Sequence, residues 1–400
     1  MTSGGNGVIG LVVNPVAGLG GSVGLKGSDG ADVQRAALAK GAEPKAGRRA
    51  AQAVATLLAR RPGARLVTVA GAMGEDSARA AAVPYELAPS GVQDNDVSTA
   101  TTTAADTRAA VAALAGVDLL LFAGGDGTAR DVLDAVRELG GQAPPVLGIP
   151  AGVKVYSGCF ALSPATAGFV AADFLARPDS VEAEVVDLDE ERYRRGLVSP
   201  RLYGSLRVPA GRAALSGRKA GSSDAVPATV EGIAREVAAR LRPGARYVLG
   251  PGATTAAVGR ELGLATTLLG VDVIEARAGG GADLVAADVT EGELFELVRG
   301  RETVIVLSVI GGQGFVLGRG NQQVSPRVLD EVLGGVPGDG DRLVVLATQQ
   351  KLAGLGGRPL LADSGDQELD RKLAGHVRVI TGYRESTIYR ICAASEEFYG

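Results

Sequence analysis

The stretch LLLFAGGDGTARDVLDAV, Leu119 to Val136, carries the residue pattern best suited to chemistry in this 400-residue chain. An aliphatic run leads into Gly124, Gly125, Asp126, Gly127 and Thr128, and a helical pattern follows. Glycines at such a turn let backbone N–H groups approach phosphate oxygens, and a helix N-terminus adds about half a positive charge. A phosphate would repel Asp126 unless the carboxylate engaged Mg²⁺ or a hydroxyl to be activated. The position therefore points to phosphoryl transfer. The plainer alternative is a tight strand-to-helix turn with Asp126 as its cap, but two glycines before the acid and one after it exceed what a cap requires.

Further candidates lie where other strands should end. Asn14-Pro15 follows an apolar run, so Asn14 either hydrogen-bonds phosphate or ribose or closes an Asx-turn. Lys154 sits in the loop after another run as a phosphate ligand or a solvated lysine, and Lys26 lies among glycines as an anion wrap or part of a plain loop. Gly250-Pro251-Gly252-Ala253-Thr254-Thr255 reads as a second anion cradle whose threonines could instead cap a helix. Gly311 to Asn321, with Gly312, Gln313, Arg319, Gln322 and Gln323, reads as a polar cluster suited to a nucleotide edge, or as a surface loop. Asp131 supports the glycine loop or compensates the helix dipole. The run Asp187 to Gly196 reads as a solvated charged face, and His376, amid apolar residues, reads as structural.

The elements that must hold these residues alternate. Strands are expected at Val8 to Val13, Arg65 to Ala70, Val117 to Phe122 and Val146 to Ile149, with helices at Ala46 to Ala59, Ala104 to Ala115 and Ala129 to Leu139. Short aliphatic strands between helices imply right-handed βαβ units and a parallel sheet covered on both faces, with ligands at the carboxyl ends of its strands. From near Tyr156, strands are expected at Glu184 to Leu188, Leu202 to Val208, Arg246 to Leu249, Thr303 to Val309, Arg342 to Ala347 and His376 to Thr381. Helices are expected there at Val226 to Leu241 and Glu291 to Val298, and Pro209 to Asp224 reads as a mobile loop.

Composition narrows the function. The 59 glycines show no three-residue period, and 46% hydrophobic residues supply a core, so collagen-like and disordered chains are excluded. A net charge of −4 offers no global field to nucleic acid or an anionic membrane. One histidine and two distant cysteines exclude Cys/His zinc sites and His-dependent nucleophile systems, so any metal must be held by oxygen. The apolar run Val8 to Val13 is too short for a signal or spanning helix, so a cytoplasmic protein is expected.

Gly124-Gly125-Asp126-Gly127-Thr128 resembles the signature shared by NAD kinases, diacylglycerol and sphingoid lipid kinases and a broader phosphofructokinase-like superfamily. Four further stretches narrow the likeness: NPVAGLGGSVGLKGSDG (Asn14 to Gly30), GIPAGVKVYSGCFA (Gly148 to Ala161), GPGATT (Gly250 to Thr255) and GGQGFVLGRGNQQVSP (Gly311 to Pro326). With them the chain is similar, over most of its length, to the predicted ATP-NAD kinase branch that includes relatives of acetoin catabolism protein X.

The resemblance implies an α/β, NAD kinase-like fold: an N-terminal parallel-sheet α/β domain, residues 1–155, and a second mixed α+β domain, residues 156–400, with nucleotide in the cleft between them. It implies ATP or polyphosphate as donor, Mg²⁺, and phosphorylation of the adenosine 2′-hydroxyl of NAD. Asp126 would be catalytic. Asn14, Gly124, Gly125, Gly127, Thr128, Lys154, Gly252, Thr254, Thr255, Gly312, Gln313 and Asn321 would bind nucleotide or phosphate, with Asp131 in support and Asp126 or Asp131 facing the metal. A homo-oligomer acting on a small molecule, without nucleic acid or membrane, is expected.

The chain departs from the family in one respect. NAD kinases carry an Asn followed by an acid downstream of the glycine motif, whereas the pair here, Asn95-Asp96, lies upstream of it. A kinase for another hydroxyl-bearing metabolite or a lipid, and a non-catalytic nucleotide sensor, are the alternatives. Scarce aromatics (4%) and two methionines weigh against a lipid pocket, and retention of Asp126, Thr128 and Lys154 weighs against a sensor.

Overall fold

A computed structural model of the chain describes residues 7–19, 23, 35, 37–39, 41–89, 102–151, 155–188, 200–210, 227–334 and 342–396. They fall into two compact units, one holding the described residues of 1–19, 27–189 and 199–218, the other those of 20–26, 190–198 and 219–400.

In the first unit, aliphatic strands β1 (Val8–Val13), β2 (Arg65–Thr68), β3 (Glu86–Leu87), β4 (Leu119–Gly124) and β5 (Val146–Pro150) form a parallel sheet of order β3-β2-β1-β4-β5. The helices are α1 (Ala46–Arg60), α2 (Glu75–Ala80), α3 (Ala104–Ala113), α4 (Asp126–Leu139) and α5 (Pro164–Ala176). Alternate side chains of the central strands enter two different cores. Ile9, Leu11, Leu119 and Leu121 pack with α1 and α5, while Val12, Leu120 and Phe122 pack with α3 and α4. The sheet is thus buried on both faces, as the aliphatic runs require. The hairpin of β6 (Ser180–Leu188) and β7 (Pro200–Pro209) adds Val185, Leu206 and Val208 to the second of these cores.

The glycine-rich composition serves close approach. A Cβ on Gly168 of α5 would lie 2.4 Å from the Ala53 carbonyl oxygen of α1, and one on Gly148 of β5 would lie 2.4 Å from the Phe160 ring. No side chain fits at either place.

The second unit is built on nine strands in the order β10-β9-β8-β11-β13-β15-β16-β14-β12. They are β8 (Arg246–Leu249), β9 (Asp272–Ala276), β10 (Ala282–Ala286), β11 (Thr303–Ser308), β12 (Phe315–Leu317), β13 (Leu343–Leu346), β14 (Leu360–Ala362), β15 (Gly375–Gly382) and β16 (Glu385–Ala393). Parallel β8, β11, β13 and β15 form the centre; β9 and β10 continue antiparallel on one side, and on the other β16 is antiparallel to β15 while β14 and β12 run parallel to β16. Helices α6 (Pro227–Ala239) and α7 (Ala253–Glu261) cover one face; α8 (Glu291–Val298) and α9 (Pro326–Leu333) cover the other. Short α10 (Gln349–Ala353) and α11 (Gln367–Lys372) follow β13 and β14. This is the expected mixed class. His376, expected among apolar residues, is instead exposed on β15 opposite Arg390.

Candidate active site

The order of the first sheet reverses between β1 and β4. In an open parallel sheet the loops leaving such a pair diverge to opposite faces and leave a crevice at the strands' carboxyl ends. Asn14 leaves β1 there, and Gly125 and Asp126 leave β4. Asn14 Nδ2 donates to Thr128 Oγ1 at 3.0 Å, and the Asn14 backbone N–H donates to the Ala123 carbonyl at 3.0 Å. The expected Asx-turn is present as well, with Val16 N–H donating to Asn14 Oδ1 at 3.2 Å.

Asp126 does not cap its helix. Gly125, in extended conformation, is the N-cap residue of α4, and no side chain caps it. The Asp126 carboxylate instead turns toward the segment after β5: Oδ2 accepts the Tyr156 N–H at 2.8 Å and Oδ1 the Ser157 N–H at 2.9 Å. Ser157 Oγ in turn accepts the Val186 N–H of β6 at 3.0 Å. The acid is therefore held rigidly, half-buried, at the first position of a helix whose dipole favours negative charge. Nearby Cys159 is fully buried; burial first, and then the Asp126 charge, push its thiol well above the ordinary range, so it is no nucleophile.

Gly124 answers to sterics. A Cβ there would lie 2.4 Å from both Cβ and Oγ1 of Thr128. Asp131 lies one turn further along α4, half-buried and engaged in contacts of its own.

The second unit gathers the other candidates at the carboxyl ends of adjacent β8, β11 and β13. Gly252, at φ 137° and the N-cap of α7, takes a conformation natural to glycine. Thr255 Oγ1 donates back to the Gly252 carbonyl at 2.9 Å, and Thr254 Oγ1 accepts Lys351 Nζ at 3.2 Å. Gly312 and buried Gln313 leave β11, where the Gln313 and Gly314 amides both donate to the Ile310 carbonyl. Asn321 is buried, not part of a surface loop, and its amide is spent on the backbone: Oδ1 accepts the Gly318 N–H and Nδ2 donates to the Val316 carbonyl. It shapes the loop after β12.

Asp272, the first residue of β9, buttresses this cradle. Its carboxylate accepts from Thr267 N–H at 2.7 Å, Thr267 Oγ1 at 2.9 Å and Asp288 N–H at 2.8 Å; the Leu268 carbonyl in the same loop accepts the Gly252 N–H at 2.8 Å. Burial pushes the Asp272 carboxyl above the ordinary range, against the pull of those hydrogen bonds.

Lys154, Lys26 and the Asn95-Asp96 pair lie outside the described residues, as does most of the run from Asp187 to Gly196. Sequence reasoning missed the Tyr156 and Ser157 amides, Asp272, and Lys351. Lys351 had a readable signal: Thr348, directly after a strand, caps α10 by accepting the Lys351 N–H at 3.3 Å, the mark of one more strand-to-helix turn.

As for Mg²⁺, no group of three or more His, Cys, Asp or Glu among the described residues is arranged to hold a metal ion. The turn does offer one carboxylate, Asp126, whose oxygens keep lone pairs beyond the Tyr156 and Ser157 amides, while Asp131 lies farther along α4. That fits an ion that takes one or two protein carboxylates and completes its shell with water and donor phosphate.

A parallel sheet whose reversal point carries a Gly-Gly-acid-Gly-Thr turn, joined in one chain to a second mixed-sheet unit, has the two-domain architecture of a kinase. Two family models match: ATP-NAD kinase N-terminal domain over residues 9–179 and ATP-NAD kinase C-terminal domain over residues 243–391. The chain belongs to the ATP-NAD kinase family. No curated protein matches it. Among solved structures, one from Bacillus anthracis str. Sterne, provisionally assigned as a diacylglycerol kinase, is similar at 17% identity and a TM-score of 0.23, over 46% of this chain and 44% of that one. Among the described residues no helix is long and apolar enough to cross a membrane.

Proposed function

We propose that the protein is an NAD kinase, which moves the terminal phosphoryl group of ATP or polyphosphate to the 2′-hydroxyl of the adenosine ribose of NAD. The observation that carries this reading is the Asp126 carboxylate, fixed by the Tyr156 and Ser157 amides at the carboxyl ends of β1 and β4, where the strand order reverses, in a chain of the ATP-NAD kinase family.

Phosphoryl transfer asks little covalent chemistry of a protein; positioning and charge stabilisation do most of it. In this reading the Gly124 to Thr128 turn and the N-terminus of α4 receive phosphate oxygens. Asp126 holds the acceptor hydroxyl in line with the donor phosphorus and takes its proton as the new O–P bond forms and the leaving phosphate departs. Mg²⁺, when bound, neutralises charge on the donor phosphates. Lys154 adds a cation to the same phosphates, and Gly252, Thr254 and Thr255 with Gly312, Gln313 and Lys351 form a second anion-binding cradle. Asn14 and Asn321 contribute by holding their loops in place.

The test is a coupled assay: purified protein, Mg²⁺, NAD and either ATP or polyphosphate, with NADP read by an NADP-dependent dehydrogenase. NADP formation supports the proposal. Its absence with every donor, together with phosphorylation of a diacylglycerol or a sugar, overturns the choice of acceptor.

A further inference from the structure

Arg49 stands where the pattern of α1 calls for an apolar side chain. Ala46, Ala50, Ala53, Val54 and Leu57 make the buried stripe of that helix, and position 49 falls within it, between Ala46 and Ala53. The arginine is half-buried, and its Nε donates to the carbonyl of Pro150, the last residue of β5.

That carbonyl needs a donor from outside the sheet. β5 is an edge strand, and on its open edge Gly148 donates to the Cys159 carbonyl at 2.8 Å and accepts the Ala161 N–H at 2.9 Å. Alternate residues of a strand aim their backbone groups at the same edge, so the Pro150 carbonyl faces outward too. The Ala151 N–H instead turns inward, to the Gly124 carbonyl at 2.9 Å. Proline on an open edge gives up no hydrogen bond of the sheet. Its buried carbonyl still requires a partner, and Arg49 is that partner.

The same strand end governs Asp126. Gly124 and Pro150 pair at the ends of β4 and β5, and the chain that leaves Pro150 presents the Tyr156 and Ser157 amides to the Asp126 carboxylate. The far end of this segment is tied to β6, where Ser157 Oγ accepts the Val186 N–H and the Gly158 N–H donates to the Glu184 carbonyl. Arg49 ties the near end.

We propose that Arg49 is a positioning residue for Asp126: by fixing the Pro150 carbonyl it sets the start of the segment whose amides hold the carboxylate. The proposal rests on the reading of Asp126 as the group that orients the acceptor hydroxyl of a kinase.

Amide resonances of the full chain and the coupled NADP assay test it together. Arg49→Met keeps the apolar stem and removes the donor, and Arg49→Lys keeps a cationic donor. In Arg49→Met the Tyr156 and Ser157 amide protons are expected to move upfield as their bonds to the carboxylate lengthen, while those of Leu11 and Leu66 in β1 and β2 stay in place. Turnover should fall about ten-fold or more with KM for NAD little changed, because a small misplacement of a reacting group is felt in the transition state. Arg49→Lys should return both readouts toward the parent. Arg49→Gln, too short to reach the carbonyl, carries the same expectation as Arg49→Met should the methionine variant not fold. Unmoved Tyr156 and Ser157 resonances in a folded variant, or moved resonances with the turnover of the parent, overturn the proposal. A parent that makes no NADP defeats the kinase reading instead, and the two resonances then decide by themselves whether Arg49 holds the donors of the carboxylate.

Discussion

Asn14, at the end of β1, and Thr128, in the first turn of α4, lie 114 residues apart in sequence and are joined by a side-chain hydrogen bond of 3.0 Å. The bond spans the two strands at which the order of the sheet reverses. It ties the loop after the first strand to the turn that carries Asp126, so two distant motifs act as one object.

Thr128→Val keeps the buried shape but removes the acceptor of Asn14 Nδ2. Loss of one such bond costs about 1 kcal/mol. The effect should appear as faster amide exchange in β1 and β4, and Thr128→Val combined with Asn14→Ala should be less damaging than the sum of the two, with a coupling of about 0.5 kcal/mol or more. Strict additivity would show that the bond stabilises nothing.

Gly124→Ala would force a methyl group against Thr128, whose Cβ and Oγ1 lie 2.4 Å from the position it must take. Overpacking of that kind costs about 1 to 3 kcal/mol. Gly141→Ala meets nothing within 4 Å and serves as the control, expected to stay within about 0.5 kcal/mol of the parent. Urea midpoints of the two variants check both figures.

The parallel sheet was legible because β1, β4 and β5 are short aliphatic runs separated by helical patterns, and burial on both faces leaves no other reading of such runs. Helix α5 was missed for the same physical reason inverted: Pro164, Ala165, Thr166, Ala167, Val170, Ala171 and Phe174 are buried around its whole circumference, so it shows no stripe. Strands β12 and β14, three residues each, are defined by pairing with each other and with β16, distant in sequence from β12, and the hairpin of β9 and β10 at the other side of the sheet was missed as well. The glycine turn announced itself. That Asp126 is held by the Tyr156 and Ser157 amides could not be read, because those donors are backbone groups and carry no residue-type signature.

Asp272 gives a pH signature. Burial holds its carboxyl above the ordinary range, so the folded chain binds this proton more tightly than the unfolded chain does. Its contribution to stability is fully present below the unfolded value, about 3.9, and is lost as pH rises through the higher folded value. Asp272→Asn should therefore flatten the decline of stability that begins above about pH 4, although it loses hydrogen bonds at every pH. Parallel stability-against-pH curves for variant and parent would refute the assignment.

Lys351→Met keeps the length of the side chain and removes the donor that reaches Thr254 at 3.2 Å. If the cradle around Gly252 binds phosphate, the variant should weaken nucleotide binding by about 1.5 to 3 kcal/mol, the range for a charged hydrogen bond. Calorimetric titration with ATP measures this, and unchanged affinity would make Lys351 a packing residue only.

Asp126→Asn separates the structural job of this carboxylate from the catalytic one proposed for it. The acid accepts the Tyr156 and Ser157 amides through different oxygens, and an asparagine can accept only one of them, since its other terminal atom is itself a donor. One buried N–H then faces an N–H, which costs about 1 to 3 kcal/mol of stability whatever the residue does in catalysis. Turnover must therefore be compared well below the lowered midpoint. If Asp126 is the general base of the proposed kinase reaction, its loss lowers kcat by about 10² to 10⁴-fold, the positioning by the glycine turn being kept. Nucleotide affinity should hold or rise, because a negative charge beside the phosphates has been removed. A folded variant with full turnover would assign Asp126 to the architecture alone and make Asp131 the next acid to replace; a folded variant that has lost nucleotide binding along with turnover would make Asp126 the anchor of Mg²⁺.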